Sequence, residues 1–216
     1  RKPLVFKLAA FTDEISQDFA RAVAVAREFN LHAVEIRSVW NHPPQDIPAG
    51  DIERMKPILR DARLRVCCIA APFFKCELDS DAEYREHLDI LRRCIDLAQQ
   101  FDCSLIRGFT FWRRQSAAQL WNKPLWKAIL KKFDEPIRIL EQKNATLGIE
   151  NESSTYIGTG DALARFLKEL NSPRVRAVWD PANSFHDEDE PEKPFPDGYQ
   201  ALRPFIVHVH VKDCRR

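Results

Sequence analysis

The sequence predicts an α/β fold in which parallel strands alternate with crossover helices. Two observations carry this reading. Short β-like runs alternate with longer segments of helical spacing along the whole chain. The β-like runs are also near-continuously apolar, as expected of strands buried on both faces. A third observation sets the closure. Seven runs are centred near residues 7, 35, 68, 107, 148, 178 and 208, a period of about 33 residues. A (β/α)₈ TIM barrel of roughly 250 residues uses about 31 residues per unit. The expected fold is therefore a (β/α)₈ barrel, one domain over 1–216, with seven βα units present and the eighth missing or truncated. An eighth strand is expected near residue 240, so Arg216 is not expected to be the native end. The start at Arg1 rather than Met fits the same trimming. A doubly wound open sheet is the rival, but it places a glycine-rich turn after its first strand. Here that turn, Ala9–Glu14 (AAFTDE), has no glycine.

The elements follow in order. Leu4–Phe11 reads as the first strand and Asp18–Phe29 as a helix, with Phe19, Val23 and Ala26 at helical spacing. Ala33–Arg37 is a strand, Asp51–Arg63 a helix, and Arg65–Ala71 (RVCCIAA) a buried strand. Asp81–Phe101 is the clearest helix, with Leu88, Leu91, Ile95 and Leu97 recurring every three or four residues. Ser104–Phe111 is a strand. Gln119–Lys143 is helical, with a break expected near Pro124 and a bend at Pro136. Ala145–Glu150, Val175–Asp180 and Phe205–Val211 are the last strands. Asp161–Leu170 is a helix with a cap expected from Gly160-Asp161, and Pro191–Pro204 holds a short helix at most.

Composition excludes several classes. Against 32 Asp+Glu stand 33 Lys+Arg, so the net charge of +1 gives no footprint for nucleic acid or an anionic membrane. No apolar run approaches the roughly 20 residues of a membrane span. The 14 Phe, 5 Trp and 3 Tyr argue against disorder. Arg1–Phe11 is basic then apolar, but Lys7 interrupts it and no small-residue cleavage site follows. The six cysteines (67, 68, 76, 94, 103 and 214) form no C-x-x-C pair and read as reduced thiols of a cytoplasmic protein. The acidic, proline-rich stretch Asp187–Pro196 (DEDEPEKPFP) reads as a solvated loop, with a lid as the alternative.

In a barrel, chemistry gathers at the carboxyl ends of the strands. Polar residues there are Glu35 and Arg37; Lys75; Arg107, Thr110 and Trp112; Glu150, Asn151 and Glu152; Asp180 and Asn183; and His208, His210, Lys212 and Asp213. Glu150, Asp180 and His210 end three consecutive apolar runs at equal spacing near one barrel unit. That register places them at one height on neighbouring strands. Two carboxylates and an imidazole suit a divalent ion such as Mn²⁺, Mg²⁺, Co²⁺ or Zn²⁺. His208 shares a face with His210 but lies deeper, and an ordinary hydrogen-bonded role suits it better. His186 reads as exposed, and His32, His42 and His87 as surface or loop residues.

The strings Leu147–Glu152 (LGIENE), Val178–Asn183 (VWDPAN) and His208–Asp213 (HVHVKD) resemble strands five to seven of the xylose isomerase-like TIM barrel superfamily. Phe11–Arg37 (FTDEIS … VEIR), Ile69–Lys75 (IAAPFFK) and Ile106–Trp112 (IRGFTFW) resemble its sugar phosphate isomerase/epimerase branch. The resemblance implies metal ligation by Glu150, Asp180 and His210. The family's fourth ligand, a glutamate on strand eight, has no counterpart in these residues. Strand three ends in Ala70-Ala71-Pro72-Phe73 without a histidine, which departs from the endonuclease IV pattern.

The expected activity is metal-dependent sugar or sugar phosphate isomerisation or epimerisation. A proton next to a carbonyl is removed through a metal-stabilised enediolate. Glu150 is the first candidate base and Glu152 the second. Arg107, Lys212, Asn183, Lys75 and Trp112 are candidate substrate-binding residues. Phe73 and Trp179 are further candidates for an apolar wall, though core packing suits Trp179 better. Arg37 reads as structurally paired. A sugar or polyol is the expected partner, with no nucleic acid and no membrane, and a homo-oligomer is open. The alternative is a dehydratase of inosose or dehydroshikimate type. A nuclease and a non-catalytic barrel stand behind it.

Overall fold

The computed structural model describes residues 6–114, 121–187 and 192–212. In chain order the elements are β1 (Ala9–Phe11), α1 (Thr12–Ile15), α2 (Phe19–Glu28), β2 (Ala33–Ile36), α3 (Ala49–Ala62), β3 (Arg65–Phe73), α4 (Asp81–Gln100) and β4 (Leu105–Gly108). There follow α5 (Lys123–Lys131), α6 (Asp134–Lys143), β5 (Thr146–Glu150), α7 (Gly160–Leu170), β6 (Val175–Trp179), α8 (Pro181–Phe185), α9 (Tyr199–Leu202) and β7 (Ile206–Val209). Among the described residues the strands lie in sheet order β1 to β7, the order of the chain. The pairings β1–β2, β2–β3, β5–β6 and β6–β7 are parallel. A doubly wound sheet reverses direction at a switch point; this order does not. The fold is α/β with seven parallel strands in TIM-barrel order.

The chain divides into two compact units, Arg1–Ala71 with Ile90–Ile106 and Pro72–Asp89 with Arg107–Arg216. In the first, α2 begins where the Asp18 carboxylate accepts the Arg21 N–H at 3.0 Å. It buries Phe19, Ala22, Val23 and Ala26, a stripe at successive steps of three, one and three. Arg63 ends α3 in the left-handed conformation at φ 56°. Val34, Ile36, Met55, Ile69 and Ile95 fill this unit's core.

The second unit has an aromatic core. Phe74 and Phe111 stack at 4.2 Å between centroids, and Phe133 meets Phe166 edge-on at 4.9 Å. Phe74 and Phe111 both hold positive φ, at 61° and 64°. Their backbones stay bonded: Phe111 N–H donates to the Phe74 carbonyl at 2.8 Å, and Phe74 N–H donates to His87 Nδ1 at 2.8 Å. His87 is therefore a buried acceptor on α4, not a surface residue. Burial lowers its pKa, because a charged ring would lose water and this acceptor role.

Other expectations shift at element ends. Gln119 lies outside the described residues, and the long helical segment is two helices that part at Lys132-Phe133. Pro124 and Pro136 each sit in a first turn, where a missing N–H costs no helical bond. The α7 cap is Thr159, whose hydroxyl accepts from Ala162 N–H at 3.3 Å, rather than Gly160-Asp161. The acidic stretch is not simply solvated. Glu192 accepts from the Gly160 and Asp161 N–H groups at 2.9 and 2.8 Å, closing the α7 N-terminus. Asp187 is buried and holds Arg113 through both oxygens, at 3.3 and 3.1 Å. Gly158 makes room for that carboxylate, since a Cβ there would lie 1.9 Å from Asp187 Oδ2.

Candidate functional site

The candidate residues Lys75, Arg107, Trp112, Glu150, Glu152, Asp180, Asn183, His210 and Lys212 all belong to the second unit. Glu150 is the last residue of β5. Asp180 follows β6 directly and is the N-cap of α8, its Oδ1 accepting from Asn183 N–H at 2.9 Å. The string Asp180-Pro181-Ala182-Asn183 thus encodes a strand-to-helix turn: a capping carboxylate, then proline at the first helical position. His210 follows β7, and its N–H donates to the Trp179 carbonyl at 3.0 Å.

One donor atom from each of Glu150, Asp180 and His210 lies within 4.8 Å of the other two. All three residues are buried, at 5%, 1% and 8% exposure. Two buried carboxylates need compensation, and each oxygen has it. Arg107 Nη1 lies 3.1 Å from Glu150 Oε2, and His210 Nδ1 lies 3.2 Å from Glu150 Oε1. Asn183 Nδ2 also reaches Glu150 Oε1 at 3.4 Å. Lys212 Nζ lies 2.9 Å from Asp180 Oδ2 and donates to Asn183 Oδ1 at 2.7 Å. Burial pushes the Glu150 carboxyl up, but the His210 hydrogen bond and the charges of Arg107, His210 and Lys212 together outweigh it. Glu150 is held below the usual carboxylate range.

Asn151 locks the two acidic strand ends together. Its Nδ2 donates to the Asp180 carbonyl at 2.8 Å, and its Oδ1 accepts from the Asp180 N–H at 2.9 Å. Nδ2 also lies 3.0 Å from Ser184 Oγ. The amide of a fully buried side chain thereby acts as an extra sheet residue. Asn151 stands among the polar strand-end residues of the sequence. Its clamp depends on a neighbouring strand's backbone, which no local string reveals.

Glu152, Lys75 and Trp112 form a second group. Lys75 Nζ lies 3.2 Å from Glu152 Oε2 and 4.3 and 5.5 Å from the Phe109 and Trp112 ring centroids. Glu152 Oε1 accepts from Ser154 N–H at 3.3 Å. The Phe109 ring also takes the Arg107 guanidinium at 4.4 Å, so one aromatic side chain touches both groups. Phe73 and Trp179 do not join Trp112 as a wall. Phe73 stacks on Phe74 at 3.9 Å, and Trp179 lies 5.4 Å from the Tyr199 ring. His186 is exposed and His208 lies with its ring 5.3 Å from that of His210. Asp213 lies outside the described residues.

The family model described as xylose isomerase-like TIM barrel matches residues 23–216. The chain belongs to this family. No curated protein matches it. Among solved structures, 3-keto-D-glucoside 4-epimerase from E. coli is similar at 14% identity and TM-score 0.73, over 97% of this chain and 80% of that one. The probable 3-DHS dehydratase involved in petrobactin synthesis from Bacillus anthracis is similar at 20% identity and TM-score 0.75, over 95% and 72%. A xylose isomerase-like TIM barrel protein from Mycobacterium smegmatis, solved in complex with magnesium, is similar at 18% identity and TM-score 0.72, over 96% and 75%. These likenesses show the barrel fold. The family includes sugar epimerases and dehydratases, and within this barrel Glu150, Asp180 and His210 are a candidate metal-binding group. Their donor set, two carboxylate oxygens and an imidazole nitrogen converging in a buried space, fits a divalent cation. Among the described residues no helix is long and apolar enough to cross a membrane.

Proposed function

We propose that the chain acts as a metal-dependent isomerase or epimerase of a sugar or sugar phosphate, with Glu150, Asp180 and His210 as the ion's ligands. The convergence of these three buried donor groups carries the reading. It is supported by the kind of chemistry named for similar barrels, including a D-allulose 3-epimerase in complex with D-allulose. A bound divalent ion would supply Lewis acidity at a substrate carbonyl.

The chain's own residues do the rest. Glu150 stays ionised among Arg107, His210 and Lys212, so it can ligate and can take a proton from the carbon next to the carbonyl. Glu152, half-buried against Lys75, is the second carboxylate able to hold that proton. Asn183, Arg107, Lys212 and Lys75 present donors to substrate hydroxyl, carbonyl or phosphate oxygens. Trp112 provides an apolar surface beside Lys75 that limits water around it.

The test is turnover of ketoses and ketose phosphates by the Mn²⁺-loaded protein in D₂O. The expected product has an unchanged skeleton and one deuterium on the carbon next to the carbonyl. Glu150→Gln and His210→Ala are expected to abolish that exchange. A product lighter by one water would mark a lyase and overturn the isomerase reading. Full metal content in both variants would overturn the ligand assignment.

A further inference from the structure

Asp180 and Glu150 are both buried and both paired, but with different kinds of cation. The Arg107 side chain is 9% exposed, lies on the Phe109 ring at 4.4 Å, and meets Glu150 through Oε2. That leaves Glu150 Oε1 on the side of His210 Nδ1. The Lys212 side chain is 49% exposed, and its ammonium reaches in to a carboxylate that is 2% exposed. Asp180 Oδ1 is engaged by the Asn183 N–H, so Oδ2 is the oxygen left to ligate an ion. Oδ2 is the oxygen that Lys212 holds.

We propose that Lys212 is a tethered counter-ion that competes with the divalent cation for Asp180. Its ammonium lies between Asp180 Oδ2 and Asn183 Oδ1, in part of the place that a cation ligated by Asp180 would take. A divalent ion and an ammonium on one carboxylate oxygen repel each other, so the ion's arrival expels the ammonium. The lysine stem is flexible and half in water, and this makes expulsion feasible. The stacked, buried guanidinium of Arg107 stays in place beside the other oxygen of Glu150. The ammonium balances the Asp180 charge until an ion takes its place, and once displaced it can meet a substrate oxygen. This inference rests on the reading of Glu150, Asp180 and His210 as metal ligands.

The experiment is calorimetric titration of Mn²⁺ into the wild type, Lys212→Met, Lys212→Gln and Asp180→Asn, with melting curves with and without the ion. Removing the competing ammonium is expected to tighten Mn²⁺ binding about two- to fivefold, the scale of a partly exposed ion pair. It is also expected to enlarge the rise in melting temperature that Mn²⁺ produces. Equal or weaker binding in both Lys212 variants, with binding lost in Asp180→Asn, overturns the counter-ion role and leaves the ligand reading standing. Wild-type affinity in Asp180→Asn, or no binding by any of the four, overturns the ligand reading and this inference with it.

Discussion

Two arginine–carboxylate pairs, one in each unit, differ in how much water reaches them. After β2, the Arg37 guanidinium lies 2.8 Å from Asp13 and 3.2 Å from Glu14, with the arginine 40% exposed. At β4 and β5, Arg107 lies 3.1 Å from Glu150 with both side chains under 10% exposed. The chemical groups are the same and the distances similar, but the solvent differs. Water reaches the Arg37 and Glu14 ends of the first cluster, though Asp13 is only 10% exposed, so forming it changes less. The second pair lies where water cannot reach, and there Arg107 compensates Glu150 together with His210 and Asn183. Buried charges are costly, and this pair lies beside the metal-type donor group of Glu150, Asp180 and His210. A structural role suits the first pair, and the second adjoins the site proposed to carry the chemistry.

The strongest way to break this contrast is Glu150→Gln. It removes a buried carboxylate that faces both Arg107 and His210, and the expected loss of stability is about 3–5 kcal/mol in urea unfolding. Mn²⁺ affinity is expected to fall by about 100-fold or more, because an acidic donor is replaced by a neutral amide. Next comes Asn151→Leu. It strands the Asp180 N–H and leaves the Asp180 carbonyl only the 3.5 Å bond from the Ser184 N–H, and the expected cost is about 1–3 kcal/mol. Metal affinity should fall with it, since the clamp spaces Glu150 from Asp180.

A titratable group in the first unit sharpens the comparison from the other direction. Burial pushes the Cys94 thiol from 9.0 up to about 12, so the folded chain keeps it neutral. Above pH 9 the unfolded chain loses this proton and the folded one does not. Its contribution is therefore complete below pH 9 and is lost as pH rises toward 12, by up to about 1.4 kcal/mol per pH unit. Urea midpoints from pH 8 to 11 check the slope, and Cys94→Ala should flatten it. The smallest effect belongs to Arg37→Ala, expected to cost less than about 1 kcal/mol and to leave Mn²⁺ affinity unchanged.

Much of the fold was legible because its signals are local. The 33-residue period, the apolar runs of β3 and β5 and the stripe on α4 each need only neighbouring residues. Glu150, Asp180 and His210 stood out because charge at the end of an apolar run is conspicuous, and the strand order brings those ends together. What escaped is what depends on another strand's backbone. His87 looked like a surface residue because nothing nearby in sequence shows the Phe74 N–H that it accepts. Asp187 looked solvated within DEDE, yet Arg113, 74 residues away, takes it into the interior. Asn151 showed its polarity but not its clamp, and Pro124 and Pro136 showed a disturbance in the helix but not on which side of the break each would fall.

Glu150, Asp180 and His210 are proposed to hold one divalent ion together. Anomalous diffraction from crystals of the protein grown with Mn²⁺ tests it most directly. The account predicts a single strong manganese peak in contact with donor atoms of all three residues, with the Lys212 ammonium withdrawn from Asp180. A peak elsewhere, or none at full occupancy of the crystal with Mn²⁺ in excess, would contradict it.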